Sequence, residues 1–242
     1  MKDQRYRIQP YEREYSSRVV GHTDEGGILL ADTIFYPAGG GQPGDAGALF
    51  WDGQELAIAT AIKAEGGAAA PVVLVPAEPA PLPPVGAEVM QHLDWERRHR
   101  HMRVHTALHL LSVVIPLPVT GGAIGVEKGR LDFDMAEPPE DKDALEAKLN
   151  ALIAADYPVS EEWISDAELD ANPGLVKTMS VQPPRGSGWI RLIRIGAGAA
   201  TVDLQPCGGT HVATTGEIGT VQIGKIEKKG RQNRRVSLHL AG

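Results

Sequence analysis

Two histidines stand four residues apart in HTALH (His105, His109), and the only cysteine of the chain, Cys207, stands four residues before His211 in CGGTH. On a helix, residues i and i+4 lie one above the other with Cβ atoms about 5–6 Å apart. Two imidazoles so placed can hold one Zn²⁺ at about 2.0–2.1 Å each. The second segment repeats the spacing with a thiolate in place of one imidazole, and its two glycines let the chain bend to present both ends. A joint set of nitrogen and sulfur donors favours zinc. Each half alone is weak, since an HxxxH arises readily by chance and a lone buried cysteine is ordinarily a small core hydrophobe. Together they point to a metal site, because His105 and His109 replace core-type residues on a leucine-rich stretch. The pattern is not that of a helical zinc protease, in which glutamate follows the first histidine. Thr106 stands there instead, and no acid lies between the pair. The catalytic base is then supplied from elsewhere, or is a metal-bound water of lowered pKa. His99 and His101 read as surface or RNA-facing groups rather than ligands.

A third segment, TIFYPAGGGQPGDAG (33–47), carries three consecutive glycines, Gly39, Gly40 and Gly41, followed by Gln42. Glycines permit left-handed backbone and close approach to a ligand. The segment lacks the Gly-Lys-Ser/Thr of a phosphate loop and opens no βαβ unit, so it binds neither nucleotide nor dinucleotide in those ways. A bulged hairpin turn accounts for its composition equally well.

The elements that must position these groups follow from periodicity. Residues 94–115 contain no Pro or Gly, and Leu108, Leu111 and Ile115 recur at helical spacing; one helix is expected there, stopped by Pro116. Residues 121–135 read as a hairpin turning at Lys128-Gly129, and 138–155 as a second helix with Leu145, Leu149 and Leu152 on one stripe. Ser165 and Glu168 form a capping box opening a short third helix that ends near Asn172-Pro173. Residues 189–195, 200–204, 219–226 and 236–240 read as strands. Upstream, the short apolar runs 18–20, 27–30, 48–51 and 56–62, separated by Gly and Asp, indicate a small β-barrel. Six prolines within residues 71–84 suggest a stiff connector rather than a central strand. The expected organisation is a barrel-like domain at 1–88 and an α+β domain with an antiparallel sheet at 89–242, the glycine loop closing over the pocket of the second.

The 242 residues suffice for one or two domains with a real core. No apolar run approaches the length of a membrane span, the first residues lack a signal-peptide core, and a single cysteine excludes a disulfide framework; a cytoplasmic protein is expected. The net charge of −7 excludes a uniformly basic nucleic-acid coat. Local clusters remain: Arg97, Arg98, Arg100 and Arg103 precede the first histidine pair, and Lys225, Lys228, Lys229, Arg231, Arg234 and Arg235 face one acid, Glu227. Such clusters supply phosphate contacts, although solvated surface charge is the commonplace alternative.

HTALHLL (105–111), CGGTHV (207–212) and FYPAGGGQPGDAG (35–47), with further echoes at 95–103, 129–133, 215–219 and 234–236, resemble the signature segments of AlaX proteins of medium length. These are free-standing relatives of the alanyl-tRNA synthetase editing domain. The resemblance runs through nearly the whole chain, in order. It implies hydrolysis, in trans, of alanine tRNA wrongly charged with serine (in some members glycine), with alanyl-tRNA spared; with no nucleotide loop in the sequence, no ATP is expected to be used. It assigns His105, His109, Cys207 and His211 as zinc ligands and Thr33 as the sensor of the serine hydroxyl, with Gln42 and Gly39–Gly41 lining the pocket. Three firm ligands and an open position suit catalysis better than four, and His211 is expected to be the loose one. A site built around the serine hydroxyl discriminates by about 10⁴–10⁵. Two rival readings remain: editing of threonine tRNA, and a non-catalytic zinc-stabilised tRNA-binding module.

Overall fold

The computed structural model describes residues 4–65, 70–179 and 188–241. The chain divides into two compact units, residues 1–99 and 100–242. The mixture of helices and antiparallel sheets is the expected α+β class.

The first unit opens with a single helical turn, α1 (Arg5–Ile8), and continues into six strands: β1 (Glu14–His22), β2 (Ile28–Leu30), β3 (Gly47–Trp51), β4 (Gln54–Lys63), β5 (Val72–Pro76) and β6 (Glu88–Leu93). They close a barrel in the order β1-β2-β5-β4-β3-β6, with every neighbour antiparallel. Alternation along β4, where Leu56, Ile58 and Ala61 are buried, sends one face inward to Val19, Phe35, Leu49, Leu74 and Val89. Closure leaves no free edge among these strands. The proline-rich stretch departs from expectation, since β5 lies between β2 and β4. The reason is local: Pro71 precedes the strand and Pro76 ends it, so Val72–Val75 keep all the amides that the ladders need.

Helix α2 (Trp95–Val114) starts within the first unit, where the Asp94 carboxylate caps its first turn by accepting from Arg97 N at 3.1 Å, and its residues from Arg100 on belong to the second. A four-stranded sheet, ordered β12-β13-β8-β7, comprises β7 (Val119–Ile124), β8 (Lys128–Asp134), β12 (Val221–Gly230) and β13 (Asn233–Leu240). The β7–β8 turn falls at 125–127, so Lys128 and Gly129 start the second strand instead of forming the turn. A Cβ on Gly129 would lie 2.6 Å from Val104 Cγ1 and 3.0 Å from Leu108 Cδ1, so only glycine lets α2 pack this close to β8. Helix α3 (Lys142–Ala154), N-capped by Asp141, packs on edge strand β12. There Asn150 takes both the N–H and the C=O of Val221 at 2.9 Å, and Glu146 accepts from Ile223 N at 2.7 Å, occupying edge groups that would otherwise pair with another strand.

A three-stranded sheet, ordered β11-β10-β9, consists of β9 (Val159–Ile164), absent from the sequence reading, β10 (Ile190–Ile195) and β11 (Asp203–Pro206). Residues 200–202, expected to begin a strand, lie ahead of β11. Between β9 and β10, helix α4 (Asp166–Ala171) carries the expected Ser165–Glu168 capping box. No helix among the described residues is long and apolar enough to cross a membrane.

Candidate metal centre

His105 and His109 project from the middle of α2, which is buried nearly all round: Met102, Val104, Ala107, Leu108, Leu110 and Leu111 share its interior with both histidines. Cys207 and His211 arrive on the loop that follows β11. Arg191 on β10 shapes this loop by donating from Nη1 to Cys207 O at 3.1 Å and Gly209 O at 2.9 Å, while its Nε binds Glu161 at 2.6 Å. The ligand atoms of His105, His109, Cys207 and His211 all lie within 4.8 Å of one another. Cys207 Sγ is 3.4 Å from His105 Nε2 and 3.3 Å from His211 Nε2. Tetrahedral zinc with N and S ligands at about 2.0–2.3 Å requires edges of roughly 3.5 Å, so this buried set has the donors and the spacing for such an ion.

The imidazole orientations follow from proton counting. Thr106 Oγ1 spends its one proton on Met102 O at 2.9 Å, so its contact with His211 Nδ1 at 3.1 Å is made as an acceptor. His211 therefore carries its proton on Nδ1 and turns the Nε2 lone pair to the cluster. His109 Nδ1 donates to Asp203 Oδ2 at 3.0 Å, which again frees Nε2. Gln205 Nε2 donates to Asp203 Oδ2 at 2.7 Å and to Ser112 Oγ at 3.3 Å, and Ser112 sends its own proton to His109 O. Lys177 closes the other side of Asp203 at 2.5 Å. Thr106 tethers His211 much as Asp203 tethers His109.

Burial opposes a charged His109, but the Asp203 carboxylate and the Cys207 sulfur raise it to about 9. Burial likewise opposes ionisation of Asp203, but His109 and Lys177 hold it at about 2. Against its own burial, Cys207 is held well below the usual thiol range by His105 and His211. His211 is pushed well below its ordinary value, chiefly by burial. His109 and Lys177 flank the two oxygens of Asp203, while Cys207 faces His105 and His211. Metal entry would release the proton on His109, the usual exchange at such sites.

Sequence reasoning missed Asp203, Gln205, Lys177 and the use of Thr106. The signal for two of them was present, since Asp203, Gln205 and Cys207 alternate at strand period and so share a face. Lys177 has no local signature.

The remaining expected site residues are distributed unevenly. In the first unit, Thr33 Oγ1 donates to Gln91 Oε1 at 2.7 Å and accepts from Phe35 N at 3.1 Å. Gly39 and Gln42 pair as a tight turn, with N···O distances of 3.0 Å both ways. Gly40 and Gly41 between them have φ of +59° and +84°, and Gln42 is buried. Arg98 is not a surface group. It is wholly buried, its Nε 2.9 Å from both oxygens of Asp45, with Ile34 O and Pro10 O accepting its remaining donors. Arg97 and Arg100 are partly exposed. Arg103 is committed to Ile218 O at 2.9 Å. Arg234 is buried against the carbonyls of Ala136 and Gly230, and Arg235 forms a two-point pair with Asp132 at 2.8 and 3.0 Å. Lys225, Lys228, Lys229 and Arg231 stay exposed around the β12–β13 hairpin. His101 is buried, contrary to its reading as a surface residue, because it falls on the inner side of α2. His99 is half-buried and stacks on Trp95 with centroids 5.2 Å apart.

Matches to known proteins agree with this architecture. Residues 190–237 match the family described as Threonyl and Alanyl tRNA synthetase second additional domain, and residues 7–97 match that described as tRNA synthetases class II (A). The chain is thus of a synthetase-related class, carrying a converged His/Cys cluster. The protein named alanyl-tRNA editing protein AlaX-M in Methanosarcina acetivorans is 33% identical over 96% of this chain and 96% of its own length. Its namesake in Methanosarcina mazei is 32% identical over 99% and 97%. The alanine–tRNA ligase of Pyrobaculum neutrophilum is 34% identical over 90% of this chain but only 24% of the ligase. The chain belongs to the alanyl-tRNA editing protein (AlaX) family.

Proposed function

We propose that the protein is a zinc-dependent hydrolase that releases serine from mischarged alanine tRNA and spares alanyl-tRNA. The observation that carries this is the convergence of His105, His109, Cys207 and His211 within 4.8 Å, in a chain aligned end to end with AlaX-M proteins. Those four residues would hold the ion, which when bound would orient or activate the water attacking the ester, or anchor the amino group of the substrate. Thr106 and Asp203 keep Nε2 of their imidazoles turned inward. Thr33 is the proposed sensor of the serine hydroxyl. Its proton is already given to Gln91, so it meets that hydroxyl as an acceptor, with one lone pair left. Alanine leaves no stranded donor there, so Thr33 alone is worth one net hydrogen bond, about 0.5–1.5 kcal/mol or roughly 2- to 13-fold. That is far below the discrimination of a complete hydroxyl-binding site, and Gln42 with Gly39–Gly41 would have to supply more. The exposed Lys225, Lys228, Lys229 and Arg231 are the proposed phosphate contacts, together with Arg97 and Arg100; Arg98 is not among them.

The test is to incubate purified protein with seryl- and alanyl-tRNA of the alanine type and with threonyl-tRNA, following deacylation with and without a chelator. Serine release that is lost on chelation and restored by Zn²⁺, with alanine retained, is the expected result. Release of threonine instead would favour the threonine-type editor. Binding of tRNA without turnover of any ester would favour the non-catalytic module.

A further inference from the structure

We infer that Asp203 is a positioning residue for the metal centre, selecting the imidazole tautomer of His109 that can ligate; this rests on the metal reading above. The carboxylate is fully buried and all its contacts are directed: His109 Nδ1 at 3.0 Å and Gln205 Nε2 at 2.7 Å on one oxygen, Lys177 Nζ at 2.5 Å on the other. Gln205 Nε2 also lies 3.1 Å from His109 Nδ1. That amide is a donor, and so is Nδ1–H while Asp203 accepts from it. If Asp203 is removed, Gln205 becomes the nearest partner of Nδ1 and donates to it. The imidazole proton then moves to Nε2, and His109 presents a donor where the ion needs a lone pair. Asp203 therefore does more than fill space, since it overrides a neighbour that would select the wrong tautomer.

Asp203 also joins separate parts of the second unit. It stands on β11 and grips α2 through His109. Through Lys177 it holds the strip 177–179, which lies along β7 with Val119 N donating to Lys177 O at 2.9 Å and Val119 O accepting from Met179 N at 2.8 Å. A residue acting on a ligand from outside the first coordination sphere commonly changes metal affinity by about 10–100-fold.

The experiment compares wild type, Asp203→Ala, Asp203→Asn and the double variant Asp203→Ala/Gln205→Leu. Zn²⁺ affinity is read by competition with a chromophoric chelator, the Co²⁺-substituted proteins by their visible spectra, and folding by circular dichroism. Asp203→Ala should weaken Zn²⁺ binding about 10–100-fold and alter the cobalt bands. Asp203→Asn, which keeps an acceptor without the charge, should fall between it and wild type. Removing the competing donor in the double variant should recover part of the loss, which a purely structural role would not produce. Zn²⁺ affinity of Asp203→Ala within about threefold of wild type, with an unchanged cobalt spectrum, overturns the inference. Should Asp203→Ala not fold, the same criterion applies to the isosteric Asp203→Asn. Wild-type protein that binds no metal overturns the metal reading and this inference with it, a result distinct from wild type binding and the variants being unaffected.

Discussion

Asp45 in the barrel and Asp203 in the second unit are both buried carboxylates facing a nitrogen base, and they serve opposite ends. Asp45 accepts from Arg98 and from Tyr36 N at 2.6 Å, and Arg98 spends its other donors on the carbonyls of Ile34 and Pro10. A guanidinium does not give up its proton, so this network is closed and its product is a fixed chain path between residues 34 and 45. Asp203 instead holds an imidazole, whose second nitrogen points into a cluster with Cys207 and two more histidines. A group that can exchange a proton for a cation turns the same carboxylate contact into part of a site.

The largest expected effect tests the closed network. Arg98→Met strands the Asp45 charge and should cost about 3–5 kcal/mol in urea unfolding, with Zn²⁺ affinity retained; a loss below about 1 kcal/mol would mean that the pair is no lock. Next, His109→Ala should lower Zn²⁺ affinity more than about 100-fold, beyond the range of an outer residue such as Asp203. Equal losses in His109→Ala and Asp203→Ala would erase the distinction between ligand and support.

The third prediction concerns pH in chelated protein. His109, raised from 6.5 to about 9, contributes stability that is complete below about 6.5 and fades as pH rises through 9. Asp203, lowered from 3.8 to about 2, contributes stability that is complete above about 3.8 and fades as pH falls toward 2. The two describe one pair, so a single plateau between about pH 4 and 6.5 is expected in Tm. Asp203→Asn should flatten it; an identical profile in that variant would deny the pairing.

Fourth, Thr33→Val should lower serine release about 2- to 13-fold, the worth of one hydrogen bond, with Zn²⁺ content unchanged. Full retention of activity and selectivity would remove Thr33 from the pocket. The smallest effect concerns the exposed lysines, of which Lys229 also lies 3.4 Å from Glu227. Lys228→Ala/Lys229→Ala should reduce the salt slope of tRNA binding by about 0.7–0.9 per lost phosphate contact. An unchanged slope would show that these exposed lysines touch no phosphate.

Much of this organisation is legible along the chain. Helix α2 and its end before Pro116, the capping box at Ser165, and the alternation of Val236 and Leu238 are local patterns, and local patterns report backbone periodicity directly. The four residues of the converged His/Cys cluster were legible too, each pair lying within five residues. What was not legible depends on partners far away. The strand β5 looked like a connector because prolines surround it, while its pairing with β2 and β4 is a matter of closure. Arg98 looked like its exposed neighbours because a charge carries no mark of the carboxylate 53 residues away that buries it.

The residue types in HTALH and CGGTH set the donor chemistry of the site, and in HTALH helix geometry alone brings the i and i+4 side chains together. Tertiary structure alone decided that the two pairs converge, that Thr106 and Asp203 direct the imidazole lone pairs, and which arginines are spent inside. Those outcomes rest on hydrogen bonds and burial between segments about a hundred residues apart, and such contacts exist only once the chain has folded.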